Sequence, residues 1–263
     1  STGRTVYTVS LSDVDVDGDN DVVTASVEVI LVFLNEDTGS FSAPAEYATA
    51  PDPADEDPEG DSRFAITADL TGDGAPEIIA ANRRLTFLSV FPNNGDGTFG
   101  ALTNYPCGDD PQALTAGDFD GDGTMDIAAV NRSTKDFAIL LNNGDGTLRE
   151  LQSYPLGEGF PLGLEADDFN RDGHLDLVAV ASSTLSVLMN SGDGTFREAK
   201  IIELPSLANL VATADVDRDG DVDIVVNMQL ERKVLFATND GNGRFPVFAR
   251  SAVLPRRVTA LTA

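Results

Sequence analysis

The chain has 263 residues, with 44 Asp plus Glu against 17 Lys plus Arg and a formal net charge of −27, a balance that excludes nucleic acid and anionic membranes, whose binding draws on cationic side chains. Apolar residues make up 41%, ordinary for a folded domain, so intrinsic disorder is excluded. The single cysteine, Cys107, rules out an intramolecular disulfide, and no apolar run is long enough for a helix to cross a bilayer.

In chain order, the first unit spans residues 4–50. A strand is expected over 4–12, followed by an acidic loop with Asp13, Asp15, Asp17, Asp19 and Asp21 at alternate positions and a loose hairpin from Glu36 to Phe41. Residues 50–63, APDPADEDPEGDSR, then read as a solvated surface insertion, being rich in Pro and acid and poor in apolar residues. The second unit, 62–108, carries Asp69, Thr71, Asp73, Ala75 and Glu77 in its loop and a hairpin at Asn94–Thr98 before Phe99. In the third, 111–157, strands are expected at Ala113–Gly117, from Ile127, from Phe137 and over Leu148–Tyr154. Its loop holds Asp118, Asp120, Asp122, Thr124 and Asp126, and its hairpin is Asn143–Thr147. The fourth, 161–205, has Asp168, Asn170, Asp172, His174 and Asp176, with a hairpin at Ser191–Thr195 before Phe196. The fifth, 207–254, has Asp215, Asp217, Asp219, Asp221 and Asp223, with a loose hairpin at Asp240–Phe245. Residues 255–263, PRRVTALTA, repeat the first-strand pattern once more.

Each loop follows the form Asp-x-Asp-x-Asp-Gly-x-x-Asp and starts 56, 49, 50 and 47 residues after the one before, so the acid belongs to a larger repeat. Positions 1, 3, 5 and 9 carry side-chain oxygens in every copy. Position 6 is always glycine (Gly18, Gly74, Gly123, Gly173, Gly220), as a backbone bend costly for other residues requires. Position 7 is unrestrained and is expected to offer its carbonyl, with the His174 ring in solvent. Alternate oxygens closing on a hard cation around a glycine bend follow the logic of the EF-hand loop, with the last acid at position 9 instead of 12. Oxygen donors without convergent Cys or His favour calcium over zinc or copper, and the number of carboxylates favours it over magnesium. Asp-Gly pairs alone make turns, but a turn does not fix so many positions in every copy. Up to five calcium ions are expected, with the second loop the weakest because Thr71 replaces a carboxylate.

Four short strands per unit, turn signals between them and no helical periodicity describe an all-β protein: a β-propeller of four-stranded antiparallel blades, with five units plus one extra first strand. Either five blades close a ring, or the chain is part of a larger ring whose open blade edge invites self-association. The segments DFDGDGTMDIAAVN from Asp118 and DFNRDGHLDLVAVA from Asp168, with their NGDGT hairpins, resemble FG-GAP/VCBS repeats, the kind found in integrin α-subunit heads. The resemblance covers essentially the whole chain. It implies calcium in the loop joining the first and second strands of each blade, and an architecture more firmly than an activity.

Catalysis finds little material. His174 is the only histidine and sits at loop position 7. No Ser-His-Asp set, phosphate-cradling glycine loop or zinc cluster can be assembled. We therefore expect a non-enzymatic binding or adhesion module for carbohydrate or protein, the alternatives being part of a polysaccharide-processing enzyme or a plain scaffold. Tyr47, Tyr105 and Tyr154 share one repeat position, which points to packing between blades; Phe160, in the GEGFPLG connection, is the best candidate for an exposed aromatic, although burial in the core or between blades is expected for it too. Extracellular loops of this kind bind calcium at about 0.1–1 mM, so an extracellular or cell-surface location is expected, with any targeting segment outside this sequence.

Overall fold

A computed structural model describes residues 5–26, 29–36, 39–49, 62–149, 152–228, 230–248 and 252–253. Most of the acidic stretch 50–63 and all of 255–263 fall outside these residues; residues 62 and 63 already belong to a strand.

Five antiparallel sheets follow one another along the chain, each a simple meander. They are β1 to β4 (Val6–Ser12, Asp21–Ser26, Val29–Phe33, Ala45–Ala48), β5 to β8 (Ser62–Ala68, Glu77–Asn82, Phe87–Phe91, Thr103–Pro106) and β9 to β12 (Pro111–Gly117, Asp126–Asn131, Asp136–Leu140, Gln152–Pro155). Then come β13 to β16 (Pro161–Asp167, Asp176–Ala181, Thr184–Leu188, Lys200–Glu203) and β17 to β20 (Ala208–Ala214, Asp223–Met228, Lys233–Thr238, Val247–Phe248). No helix occurs among the described residues, and the blades are those of a propeller. The outer edge of the fifth blade is split: β20 pairs with one end of β19 and β21 (Ala252–Val253) with the other. The fourth strand of the third blade is shorter than the sequence predicts, because Leu148 makes only an isolated bridge to Asn142 before β12 begins at Gln152.

The second strands β6, β10 and β14 are buried along their whole length, so Ile127–Val130 needs apolar side chains on both faces, each covered by a neighbouring blade. The hydrophobic core is accordingly divided into four, one between each pair of adjacent blades. First strands pack against one another in sequence, β1 on β5, β5 on β9, β9 on β13 and β13 on β17. The same register shift recurs near the start of each of them, the mark of a repeated β-bulge. At the two ends of this arc apolar side chains stand open: Val9 and Leu11 on β1 are 62% and 65% exposed, and Val216 after β17 is 39% exposed. Val14, Leu70, Phe119 and Phe169, at the position equivalent to Val216, are buried.

What joins blade to blade is an asparagine that recurs just after each third strand. The Asn142 amide donates to the Leu70 carbonyl of the preceding blade at 2.6 Å and to the Met125 carbonyl of its own blade at 3.0 Å. Asn190 repeats this with Phe119 and Leu175, Asn239 with Phe169 and Val222, and Asn93 with Val14 and Pro76. Asn142 also accepts from the Gly144 N–H through its side-chain oxygen, fixing the hairpin that follows. Replacing it leaves buried carbonyls and an N–H without partners, at about 1–3 kcal/mol for each buried group so orphaned. Asn142→Ala is therefore expected to lose about 3 kcal/mol in urea unfolding; a loss below about 1 kcal/mol would show that the asparagine does not join the blades.

Candidate metal centre

The five acidic loops all lie at one end of the blades, where first strands end and second strands begin. In each, the position 1 carboxylate ties the loop to itself. Asp118 accepts from the Gly121 N–H at 2.7 Å and the Gly123 N–H at 2.9 Å, and Asp13, Asp69, Asp168 and Asp215 accept from the matching glycine at position 6 at 2.9–3.0 Å. The position 5 carboxylate accepts from the N–H of position 7 in all five loops, through Asp17, Asp73, Asp122, Asp172 and Asp219. These bonds preform the loop without a cation, and one oxygen each of Asp69, Asp122 and Asp168 already accepts two hydrogen bonds.

Two residues per loop take the left-handed conformation. The glycine at position 6 has φ between 86° and 101°, as its invariance predicts. Position 4 is left-handed too, at Val16 (59°), Gly72 (73°), Gly121 (76°), Arg171 (60°) and Arg218 (67°), a requirement the sequence conceals because only two copies have glycine there. A β-branched residue at such a φ is strained.

Position 9 departs most from a plain ligand. Asp21, Asp126, Asp176 and Asp223 are fully buried and Glu77 nearly so. Both oxygens of Asp126 accept backbone N–H groups, from Phe119 at 2.8 Å and from Asn142 at 2.7 Å. Asp21, Asp176 and Asp223 do the same with Val14 and Asn35, Phe169 and Asn190, and Val216 and Asn239. This carboxylate braces the loop against the end of the third strand, whatever else it holds. Burial pushes Asp126 up to about 6 and Asp176 to about 7, and it raises Glu77 as well.

In three loops the carboxylates converge. Asp13, Asp15 and Asp17, then Asp118, Asp120 and Asp122, then Asp215, Asp217 and Asp223 each bring three carboxylate oxygens within 4.8 Å of one another. Burial raises the pKa of Asp15, reinforced by the charges of Asp21 and Asp17, and one of its oxygens is enclosed without a hydrogen bond. Asp217 is raised in the same way beside Asp219. Like charges this close resist joint ionisation unless a cation joins them, so these donor sets fit a hard divalent ion. In the third loop Arg149 supplies part of that charge, its Nη2 lying 2.5 Å from Asp120.

The second and fourth loops assemble no such triad. Thr71 interrupts the second, and in the fourth the Asn170 amide donates to Asp172 at 2.9 Å and so takes up one of the oxygens. Position 7 is less free than expected. Asp221 is buried and pairs with Arg171 of the neighbouring loop at 2.6 Å; Ala75 is buried, Thr124 donates to Asp122, and Asp19 is half-buried. His174 does not project into solvent: it is half-buried and lies against Gly192, because the hairpin folds back over the loop. Tyr47 and Tyr154 do join blades, stacking edge-on to Phe99 and Phe196. Phe160 is half-exposed beneath the Arg132 guanidinium, 4.7 Å from its ring centre, at the end of the blades opposite the loops.

The FG-GAP-like repeat matches residues 13–80, 69–129, 118–179 and 168–226, in register with the loops. The chain belongs to the FG-GAP-like repeat family. No curated protein matches it. Among solved structures, it resembles an Agrocybe aegerita lectin that recognises non-reducing terminal N-acetylglucosamine (TM-score 0.61, 21% identity, covering 93% of this chain and 65% of that one). It is also similar to a Pseudomonas aeruginosa periplasmic gluconolactonase (0.69, 17%, 93% and 70%) and to BBS1N in complex with ARL6DN (0.66, 12%, 97% and 71%). The chain thus spans slightly less than two thirds of the lectin, and these likenesses are of fold. The FG-GAP-like loops are what it shares with the family in sequence.

Two outcomes follow from the loop geometry. The unfolded chain titrates its Asp groups near about 3.9, well below Asp126 and Asp176 in the fold. Between about pH 4 and 7 the folded state therefore holds more protons, and the cation-free protein loses stability as pH rises through that window. Chelator-treated protein should melt higher at pH 5 than at pH 7, and a melt that climbs with pH would contradict the shifts. Val16→Gly relieves the position 4 strain on an exposed residue and should raise the denaturation midpoint by the equivalent of about 1 kcal/mol, whereas a lower midpoint would show that the valine is not strained.

Proposed function

We propose that this chain is a calcium-stabilised propeller that works outside the cell as a non-catalytic binding or adhesion module for carbohydrate or protein. The observation that carries the calcium assignment is the convergence of three carboxylates in each of three loops, on a backbone already closed by its own hydrogen bonds. Asp13, Asp15 and Asp17 would hold one ion, Asp118, Asp120 and Asp122 a second, and Asp215, Asp217 and Asp223 a third. The ion would supply charge neutralisation and loop rigidity. The chain's own residues place the oxygens, exclude part of the water and brace the loop against the next strand. A site of this type is filled at extracellular calcium levels and mostly empty in cytosol, which supports an extracellular or surface location.

Support for binding over catalysis comes from the reactive groups themselves. The Cys107 thiol is buried and pushed up to about 12, so it is no nucleophile near neutral pH. His174 is wedged against a hairpin glycine, and its ring makes no hydrogen bond to a hydroxyl or thiol among the described residues. The similarity to the lectin fits a carbohydrate ligand. The similarity to the gluconolactonase keeps a second reading in view, an enzyme-like propeller working through carboxylates, and a hydrolysis assay on lactones and polysaccharides separates the two.

Calcium binding to the folded state alone stabilises it by about 2.7 kcal/mol per site when the ion is at a hundred times its dissociation constant. Chelation should therefore lower the melting temperature by about 5 °C or more. Asp122→Ala should remove one calcium equivalent by isothermal titration while leaving the other sites filled. An unchanged melt after verified metal removal would overturn the assignment, and selective retention on a glycan array in calcium would establish the ligand class.

A further inference from the structure

Each seam between blades is filled where the hairpin of one blade lies over the acidic loop of the blade before it. At the first seam, a side chain on Gly97 would strike Leu34 at 2.8 Å and Asp15 at 3.2 Å. At the third seam Gly194 faces Leu141 and Asp120, and at the fourth Gly243 faces Met189 and Asn170. The filler is thus a long apolar residue just after the third strand together with the loop's position 3 side chain. At the second seam both are cut short: the filler position holds Pro92, position 3 is Thr71, and Gly146 meets only the Thr71 methyl.

The aromatic contact fails at the same seam. Tyr47 and Tyr154 each stack on a phenylalanine, and their hydroxyls accept the Phe99 and Phe196 N–H groups at 3.2 and 3.1 Å. Their equivalent Tyr105 packs near Leu148 instead, and its hydroxyl makes no hydrogen bond among the described residues. The result is a cavity of about 190 Å³ whose lining includes Thr71, Glu77, Pro92, Tyr105, Asp145 and Thr147.

From this geometry we propose that the second seam is a ligand site for a neutral, hydroxyl-rich ring the size of one monosaccharide. The cavity would hold roughly six waters at their liquid volume of about 30 Å³, comparable to a six-membered sugar ring. Its wall combines an unpartnered phenol, the Thr71 and Thr103 side chains, and the second oxygen of Asp145, whose first is held by Thr147, while Val90 and Pro92 give an apolar patch for ring C–H groups. Asp145 and Glu77 repel an anion. Glu77 is already engaged by the Leu70 N–H at 2.8 Å, which makes it a poor counter-ion for a cationic ligand. Hydroxyl groups that both donate and accept suit a polyol best.

This inference rests on the binding-module reading and is tested with methyl glycosides of glucose, galactose, mannose and N-acetylglucosamine, by saturation-transfer NMR and titration on the calcium-loaded chain. Pro92→Leu restores the apolar filler found at the other seams, and Tyr105→Phe removes only the free hydroxyl. At least one sugar is expected to bind, with affinity falling at least about tenfold in Pro92→Leu and about fivefold in Tyr105→Phe, the latter being the effect of one lost hydrogen bond. Should Pro92→Leu fail to fold, Tyr105→Phe decides alone, and unchanged affinity there overturns the site. A sugar held equally well by both folded variants places binding elsewhere and sinks this site while leaving the binding-module reading intact. No binding by any glycoside to folded wild type also overturns it, and glycan-array or protein capture then judges the broader reading separately.

Discussion

The buried acid at loop position 9 is the constraint on which the rest of the structure depends. A carboxylate withdrawn from water is costly unless its oxygens are satisfied. Here it is met by two backbone N–H groups, one from the loop's second residue and one from an asparagine at the end of the third strand. That asparagine spends its own amide on carbonyls of two blades. One charged group therefore fixes loop, strand end, hairpin and neighbouring blade at once, and a change at any of these positions leaves another polar group buried and unpaired. At the first blade, which has no described predecessor, the Asn35 oxygen is buried without a partner, and among the described residues its amide reaches only Asn20, at 3.4 Å.

The arrangement explains why such an acidic chain can fold at all. Hydrogen bonds from backbone N–H groups lower the cost of ionised carboxylates, and they account for most of the loop's shape. What they do not cancel is the loss of water around three carboxylates in one small volume and their mutual repulsion, which in that order raise the pKa of Asp15 and Asp217. A divalent ion would address that remaining cost, and on the calcium reading folding and metal binding would be coupled through electrostatics more than through loop geometry. Arg149 at Asp120 and Arg171 at Asp221 show the same demand met by guanidinium groups.

The repeat, the all-β class and the blade order are legible in the sequence because a glycine at position 6 and acids at fixed intervals are local requirements. The roles of Asn93, Asn142, Asn190 and Asn239 are not, since each acts across about 16 residues within a blade and about 70 between blades. Their signal is a recurring asparagine beside each hairpin, and a local reading assigns it to the turn. The left-handed position 4 is hidden because Val16, Arg171 and Arg218 tolerate strain that glycine would avoid. The placement of His174 depends on how the hairpin folds back over the loop, which spacing does not encode. Tyr47 and Tyr154 meet the expectation of inter-blade packing because their partners Phe99 and Phe196 recur, whereas Tyr105 lacks one because Leu148 stands in the partner's place.

A repeat array makes departures informative. Each seam solves the same packing problem, so a seam that leaves volume unfilled can be measured against its neighbours in the same molecule. Pro92, Thr71 and Leu148 are separated in sequence, yet all fall at the second seam, and together they leave a free phenol beside a cavity. Stability is distributed over four inter-blade cores and five braced loops, so one seam can be loosened while the others hold the fold. That is the physical condition under which a repeat protein can acquire a binding site without losing its architecture.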